Sequence, residues 1–331
     1  MIVRSISLDF FRNYLHLDAS FDPRLNIICG ENAQGKTNLL EAVGYLSGAT
    51  SHRARYDREL IQFGVDSAFL KAEVSSRDRA FTLEAELYRQ GRRRLFSNGV
   101  RLKNAGELAD VINTVLFCPE DLSLIRAGAA ERRRFLDDCI CQLRPRYGAA
   151  LAEYKKLHEH KTRILRDCGE RPDLLDTLDD FSLRMAQTGA ILIHYRAHFV
   201  RKLLEFAPPI HREFSGGGER LGLIYRTVST VTDPQAPPRE LLAQLLAHQE
   251  AHRQAELESR QCLSGPHKDD LEVELDGRST KQYASQGQTR TAALSLKLAS
   301  REIFRHDTGQ WPVLLLDDVL SELDQRRQDF V

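Results

Sequence analysis

Residues 30–37 read Gly30-Glu31-Asn32-Ala33-Gln34-Gly35-Lys36-Thr37 and fit the phosphate-binding template G-x-x-x-x-G-K-[ST]. The flanks supply the context such a loop needs. Leu25-Asn26-Ile27-Ile28-Cys29 reads as a short buried strand before it, and Asn38-Leu39-Leu40-Glu41-Ala42-Val43 opens an apolar helix after it. Glycines let the chain curl so that backbone N–H groups converge on phosphate oxygens, and the helix N-terminus adds partial positive charge. On this reading the loop Gly30 to Gly35, with Glu31, Asn32, Ala33 and Gln34, cradles the phosphates. Lys36 reaches the β- and γ-phosphates, and the Thr37 hydroxyl ligates Mg2+. The chain is expected to bind a nucleoside triphosphate.

Composition bounds the rest. At 331 residues the chain can form one large domain or two, and 28% charged with 42% apolar residues is ordinary for a globular protein. Lys plus Arg and Asp plus Glu both total 47, so nucleic acid could be held only through local basic patches. Met1-Ile2-Val3-Arg4-Ser5-Ile6 alternates instead of forming a secretory apolar block, and no apolar run approaches the ~20 residues of a membrane span. The six cysteines match no common zinc or redox spacing and read as reduced thiols, mostly in the core, of a cytoplasmic protein.

The pattern along the chain predicts an α/β fold with a helical insertion. Ile6, Leu8 and Phe10, then Leu15, Leu17, Ala19 and Phe21, alternate as a half-buried hairpin feeding the strand 25–29. A second β group spans Leu70–Val74 and Phe81–Leu87, with a turn at Ser97-Asn98-Gly99, and Val115-Leu116-Phe117 is a short apolar strand. Apolar residues then recur at helical spacing from Ala129 to Phe206, with the helix ending at Pro208-Pro209, and a polar helix covers about 239–260. The α/β pattern returns with Leu271, Val273 and Leu275, a helix from Ser285 to Phe304 and a strand Val313–Leu316. The expected division is 1–128 and 263–331 as two parts of one nucleotide-binding head, with 129–262 as the inserted lobe.

Val313-Leu314-Leu315-Leu316-Asp317-Asp318 is a Walker B pattern, a buried strand delivering carboxylates at its C-terminal end. Asp317 is expected to hold Mg2+ opposite Thr37, and Asp318 to orient or deprotonate an attacking water. Lys36 and Asp317 are 281 positions apart, so the two halves must fold together around the insertion. Ser285-Gln286-Gly287-Gln288 opens the helix before that strand and resembles the signature of ABC-type ATPases. There the serine, the glycine amide and the helix dipole bind the γ-phosphate of ATP held by a second molecule. Leu320-Ser321-Glu322-Leu323-Asp324 matches the D-loop of such proteins.

Further motifs extend the likeness over the whole chain: Phe11-Arg12-Asn13-Tyr14, Ser51-His52-Arg53, Cys118-Pro119-Glu120-Asp121-Leu122, Arg132-Arg133-Arg134-Phe135-Leu136-Asp137 and Gly265-Pro266-His267-Lys268-Asp269-Asp270-Leu271. Together with residues 30–42, 285–288 and 314–324 they resemble the RecF family of SMC-like ABC ATPases. The resemblance implies an ABC-type head, a mixed sheet with a P-loop helix and a β subdomain, carrying an inserted helical lobe. It implies an ATP-closed homodimer at gapped or junction DNA that works with RecO and RecR to load RecA in recombinational repair, replication restart and SOS induction. Lys36, Asp317, Asp318 and, from the second molecule, Ser285 would then be catalytic, with Gly287 and Gln288 completing the ATP site. Asp at 318, where other ABC heads carry Glu, implies slow, DNA-stimulated hydrolysis. The resemblance also implies a further strand and a γ-phosphate-sensing switch beyond Val331, so that the head is cut short here.

Two basic clusters are candidate DNA contacts. Arg92, Arg93 and Arg94 with Arg101 and Lys103 flank a β-turn; Arg132–Arg134 with Arg144 and Arg146 form the second. The first is favoured, because Glu131, Asp137 and Asp138 accompany the second. Neither interleaves aromatics, which points to backbone contacts with duplex or a duplex–single-strand junction. Two other classes compete. A transporter-type nucleotide-binding subunit would need a compact insertion and a membrane partner, and a structural SMC-like tether would need much longer heptad arms.

Overall fold

The computed structural model describes residues 1–318, so the D-loop candidate Leu320–Asp324 lies outside the described residues. The chain divides into two compact units, Met1–Pro119 with Lys297–Val331, and Glu120–Leu296.

The first unit opens with an antiparallel hairpin, β1 (Ile2–Phe11) and β2 (Tyr14–Ser20), in which Leu8 faces Leu17 and Phe11 faces Tyr14. The expected alternation breaks at its tip. Phe10 takes a left-handed φ of 53° and stays 37% exposed, which turns Phe11 fully into the core. After α1 (Lys36–Tyr45) come β3 (Ser67–Ser76), β4 (Arg79–Tyr88), β5 (Arg94–Ser97) and β6 (Val100–Arg101). Asn98 and Gly99, with φ of 51° and 75°, form the tight turn between the last two. The sheet order is β2-β1-β3-β4-β5-β6, and the inward residues Ile6, Leu8, Leu70, Ala72, Leu83 and Ala85 share a core with Leu39, Ala42 and Val43 of α1. The short α2 (Gly106–Ala109) and β7 (Thr114–Phe117) complete this part.

The predicted strand 25–29 is absent. Asn26 instead folds back on Asp22, accepting from its N–H at 2.7 Å and donating to its carbonyl at 2.8 Å. This local Asx bonding competes with a ladder. Leu25 and Ile27 are left 71% and 79% exposed, and Cys29 is exposed too.

The second unit is mainly helical: α3 (Ser123–Arg126), α4 (Ala129–Leu143), α5 (Pro145–Asp167), α6 (Leu178–Phe214), β8 (Leu221–Arg226), α7 (Pro238–Ser259), β9 (Asp270–Leu275), β10 (Arg278–Ser279), α8 (Thr280–Tyr283) and the start of α9 (Gln286–Thr308). Ala186, Ala190 and Ile193 of α6 pack on Leu241 and Leu245 of α7, and the three strands pair antiparallel as β10-β9-β8. α6 does not stop at Pro208-Pro209 as the sequence suggested; it runs to Phe214. The carbonyls deprived of donors belong to Leu204 and Glu205, which are exposed and can bond water, while Ala207, His211 and Phe214 remain buried. Packing outweighs the local cost.

Arg196 of α6 organises this unit. Its guanidinium, 3% exposed, pairs with Asp137 at 2.9 Å and Asp269 at 3.0 Å and donates to the Pro266 carbonyl at 2.8 Å. The Tyr147 and Tyr225 hydroxyls bond the same two carboxylates. Burial holds the Asp269 carboxyl above its ordinary value against the pull of Arg196 and Tyr225.

The division between the units crosses α9 at Leu296/Lys297, so residues 263–288 lie with the helical unit, whereas the sequence reading grouped 263–331 with the head. Back in the first unit, Lys297 Nζ donates to the Leu116 carbonyl at 2.8 Å. The strand β11 (Val313–Leu316) runs parallel to β7, with Leu314 beside Val115 and Leu316 beside Phe117. No helix among the described residues is long and apolar enough to cross a membrane.

Replacing Arg196 with Met takes the counter-charge from the buried Asp269 and the partly buried Asp137 and leaves each only its tyrosine hydroxyl. Chemical unfolding should show a loss of about 3–5 kcal/mol in the transition that reports the helical unit; a change under 1 kcal/mol would contradict this role.

Candidate nucleotide site

The loop 30–37 keeps the geometry its residues call for, even without the strand predicted before it. Gly30, Ala33 and Gly35 take φ of 158°, 65° and 108°, and Gly35 caps α1 in the left-handed region. Tyr14 donates its hydroxyl to the Gly35 carbonyl at 3.0 Å. A Cβ on Gly35 would meet Asn13 Oδ1 and the Tyr14 ring at 2.8 Å, so only glycine fits. Lys36 Nζ spans the loop, donating to the Gly30 and Glu31 carbonyls at 2.6 and 2.8 Å. An ammonium has three hydrogens, which leaves one for a phosphate oxygen. The first amides of α1 have no intrahelical acceptor and supply the anion-binding face.

The two halves predicted 281 positions apart do meet. Asp317 N–H donates to the Phe117 carbonyl at 2.9 Å, extending the β7–β11 ladder by one rung. That rung brings its carboxylate to α1, where Thr37 Oγ1 donates to Asp317 Oδ1 at 3.0 Å. Two oxygens bound to one octahedral hard cation at 2.0–2.1 Å stand roughly 2.9 Å apart. A hydroxyl and a carboxylate at this separation therefore fit Mg2+ chemistry. Asp318 follows with a left-handed φ of 53° and is exposed.

A polar cluster buttresses α1 that sequence reasoning missed as a unit. Glu41, 1% exposed, accepts two hydrogen bonds from Arg12 at 2.7 and 2.8 Å and one from Ser51. Arg53 bonds Asn38 at 3.0 Å and stands 3.9 Å from Glu41, while Asn38 donates to Asn13 at 2.7 Å. Burial alone would raise the Glu41 carboxyl; the bonds from Arg12 and Ser51 and the charges of Arg12 and Arg53 hold it below its ordinary value. The motifs at 11–14 and 51–53 thus converge on the phosphate-loop helix. The available signal was a lone acid inside the apolar run Leu39–Val43.

Ser285 is the N-cap of α9. Its hydroxyl accepts from the Gln288 N–H at 3.2 Å, and its own N–H donates to Gln288 Oε1 at 2.8 Å, a reciprocal capping box. Ser285 and Gly287 are exposed, and among the described residues nothing outside its own helix lies within 4 Å of a Cβ built on Gly287. Gln288 also donates to Glu219 at 2.9 Å. Ser285–Gln288 belong to the helical unit and Lys36, Thr37 and Asp317 to the first unit.

The basic candidates divide. Arg92, Arg101 and Lys103 are exposed. Arg93 turns inward, donating to the Ala49 carbonyl at 2.6 Å and pairing with Asp57 at 3.1 Å. Arg94 stands 3.6 Å from Glu86 and over the Tyr88 ring. In the second cluster Arg132 is buried in a two-point pair with Asp270 at 2.6 and 2.9 Å, and Arg133 donates to the Asp269 carbonyl at 2.6 Å.

Gly35→Ala should force a side chain into the left-handed region against Tyr14 at a cost of about 1–3 kcal/mol. ATP affinity measured by calorimetry is expected to fall about tenfold or more. For Glu41, the lowered carboxyl contributes stability that is complete above about pH 4.3 and lost as pH falls through its lower folded value. Glu41→Gln should therefore flatten that limb of an acid-denaturation curve.

The RecF/RecN/SMC N terminal domain family matches residues 2–331. The protein is 42% identical over 332 residues to the DNA replication and repair protein RecF of Agathobacter rectalis, covering 100% of this chain and 88% of that one. It superposes on the solved recombination mediator protein RecF with ATPrS in the RecFOR pathway at a TM-score of 0.92, with 33% identity over 98% of this chain and 87% of the other. For RecF with ATP the TM-score is 0.87, with 33% identity, 99% of this chain and 89% of the other. With the nucleotide loop joined to Asp317, the mixed α/β architecture is that of an ABC-type ATPase head with a helical region, and the chain belongs to the RecF family.

Proposed function

We propose that this protein is an ATP-switched DNA-binding protein of recombinational repair, a recombination mediator like its RecF relatives. The observation that carries this reading is the Thr37–Asp317 hydrogen bond, which joins the phosphate-loop helix to the end of β11 across 280 positions of sequence. Lys36 would neutralise the β- and γ-phosphates, and Thr37 and Asp317 would ligate Mg2+. Asp318, exposed at the strand end, would orient water over a shorter arm than glutamate offers, so hydrolysis is slow. Exposed Ser285 and Gly287 at the head of α9 would receive the γ-phosphate of ATP held by a second copy. ATP then acts as a latch that closes a homodimer on duplex or on a duplex–single-strand junction at gaps. RecO and RecR are the partners expected there, with loading of RecA and SOS induction as the outcome.

Exposed Arg92, Arg101 and Lys103 would supply phosphate contacts. Replacing all three with Ala should reduce the slope of log affinity against log salt by about 2 to 3. Arg93→Ala should lower stability instead, because it unpairs Asp57. Lys36→Ala should abolish nucleotide binding, and Asp318→Asn should accumulate an ATP-bound dimer. The decisive assay is DNA binding at two salt concentrations with and without ATP. Binding that strengthens with ATP supports the latch; equal binding without ATP would overturn it.

A further inference from the structure

Within the helical unit, three side chains with metal-ligand chemistry converge. His158 of α5, Cys262 and His267 each offer one ligand atom, and these atoms lie within 4.8 Å of one another. The two imidazole rings are 4.4 Å apart between centroids. No hydrogen bond among the described residues engages either His158 nitrogen. His267 Nδ1 lies 2.7 Å from the Tyr154 hydroxyl, and its Nε2 lies 3.0 Å from the Cys262 carbonyl. The Cys262 segment is itself held in place: Glu256 Oε1 accepts from the N–H groups of Leu263 and Ser264 at 2.7 and 3.2 Å.

We propose that His158, Cys262 and His267 form a site for a divalent transition metal of the zinc class, with a fourth position for water. One thiolate with two imidazoles is a borderline-soft donor set of the kind zinc takes. Tetrahedral bonds of 2.0–2.3 Å place ligand atoms roughly 3.3–3.7 Å apart, so closure needs a contraction of about an ångström. His158 can supply it by side-chain rotation, since no hydrogen bond fixes its ring. Metal at His267 Nε2 replaces the bond to the Cys262 carbonyl, and the Nδ1 hydrogen then donates to the Tyr154 hydroxyl, the outer partner that orients such ligands.

Coordination through the Cys262 thiolate releases the thiol proton to solvent, one for each ion bound. A bound ion would brace α5 against the Gly265–Asp270 segment, whose Asp269 pairs with Arg196.

Chelator-treated protein titrated with Co2+ and then Zn2+, without nucleotide, tests the site independently of the proposed function. One equivalent of Co2+ should give a thiolate-to-cobalt band in the near ultraviolet that Zn2+ removes, and Zn2+ should raise the thermal midpoint. Cys262→Ser should lose the band and bind Zn2+ at least tenfold more weakly. His158→Ala, which breaks no hydrogen bond, should melt normally without metal and show the same loss of affinity. Absence of the band at stoichiometric Co2+, or unchanged Zn2+ affinity in both variants, would overturn the assignment.

Discussion

The parallel pairing of β7 with β11 is the constraint on which the nucleotide site depends. Parallel neighbours cannot be joined by a tight turn and need a crossover. Here the crossover is an entire unit, Glu120–Leu296, inserted between the two strands. The register, Leu316 beside Phe117 with one further rung from Asp317, fixes where the acid emerges. One residue of slip would move Asp317 away from Thr37 and turn its neighbours to the opposite face.

Around that junction, preorganisation comes from buried charge. Glu41 is enclosed in the helix that starts with Lys36, and it survives burial because Arg12 and Ser51 bond it directly while Arg53 adds its charge nearby. Arg12 belongs to the hairpin tip and Ser51 to the segment after α1, so two separate stretches are locked to one helix. Removing one partner of such a pair costs more than the pair contributes, since the remaining charge stays in low dielectric. The arrangement therefore favours a rigid phosphate loop. Arg196 does the same in the helical unit, joining α4, α6 and the segment before β9.

Much of this was legible in the sequence, for identifiable reasons. The phosphate loop, the hairpins and the strand ending in Asp317-Asp318 were readable because spacing and alternation carry local physics. The break at Phe10–Phe11 was not, because it depends on one left-handed residue. The failure at 25–29 came from reading apolarity as burial where Asn26 bonds Asp22. The continuation of α6 through Pro208-Pro209 was hidden because tertiary burial of His211 and Phe214 overrides a local breaker. The inward turn of Arg93 and Arg132 could not be foreseen, since their acids, Asp57 and Asp270, are distant in the chain.

The central claim is that a second molecule completes the ATP site at the head of α9. Gly287 offers the most direct test, because it is exposed and a Cβ there meets nothing within 4 Å among the described residues outside its own helix. Sedimentation velocity with ATP and Mg2+ should show the wild-type protein as a dimer. Gly287→Leu should bind ATP with unchanged affinity and remain a monomer. A Gly287→Leu protein that dimerises with ATP as the wild type does would contradict the account.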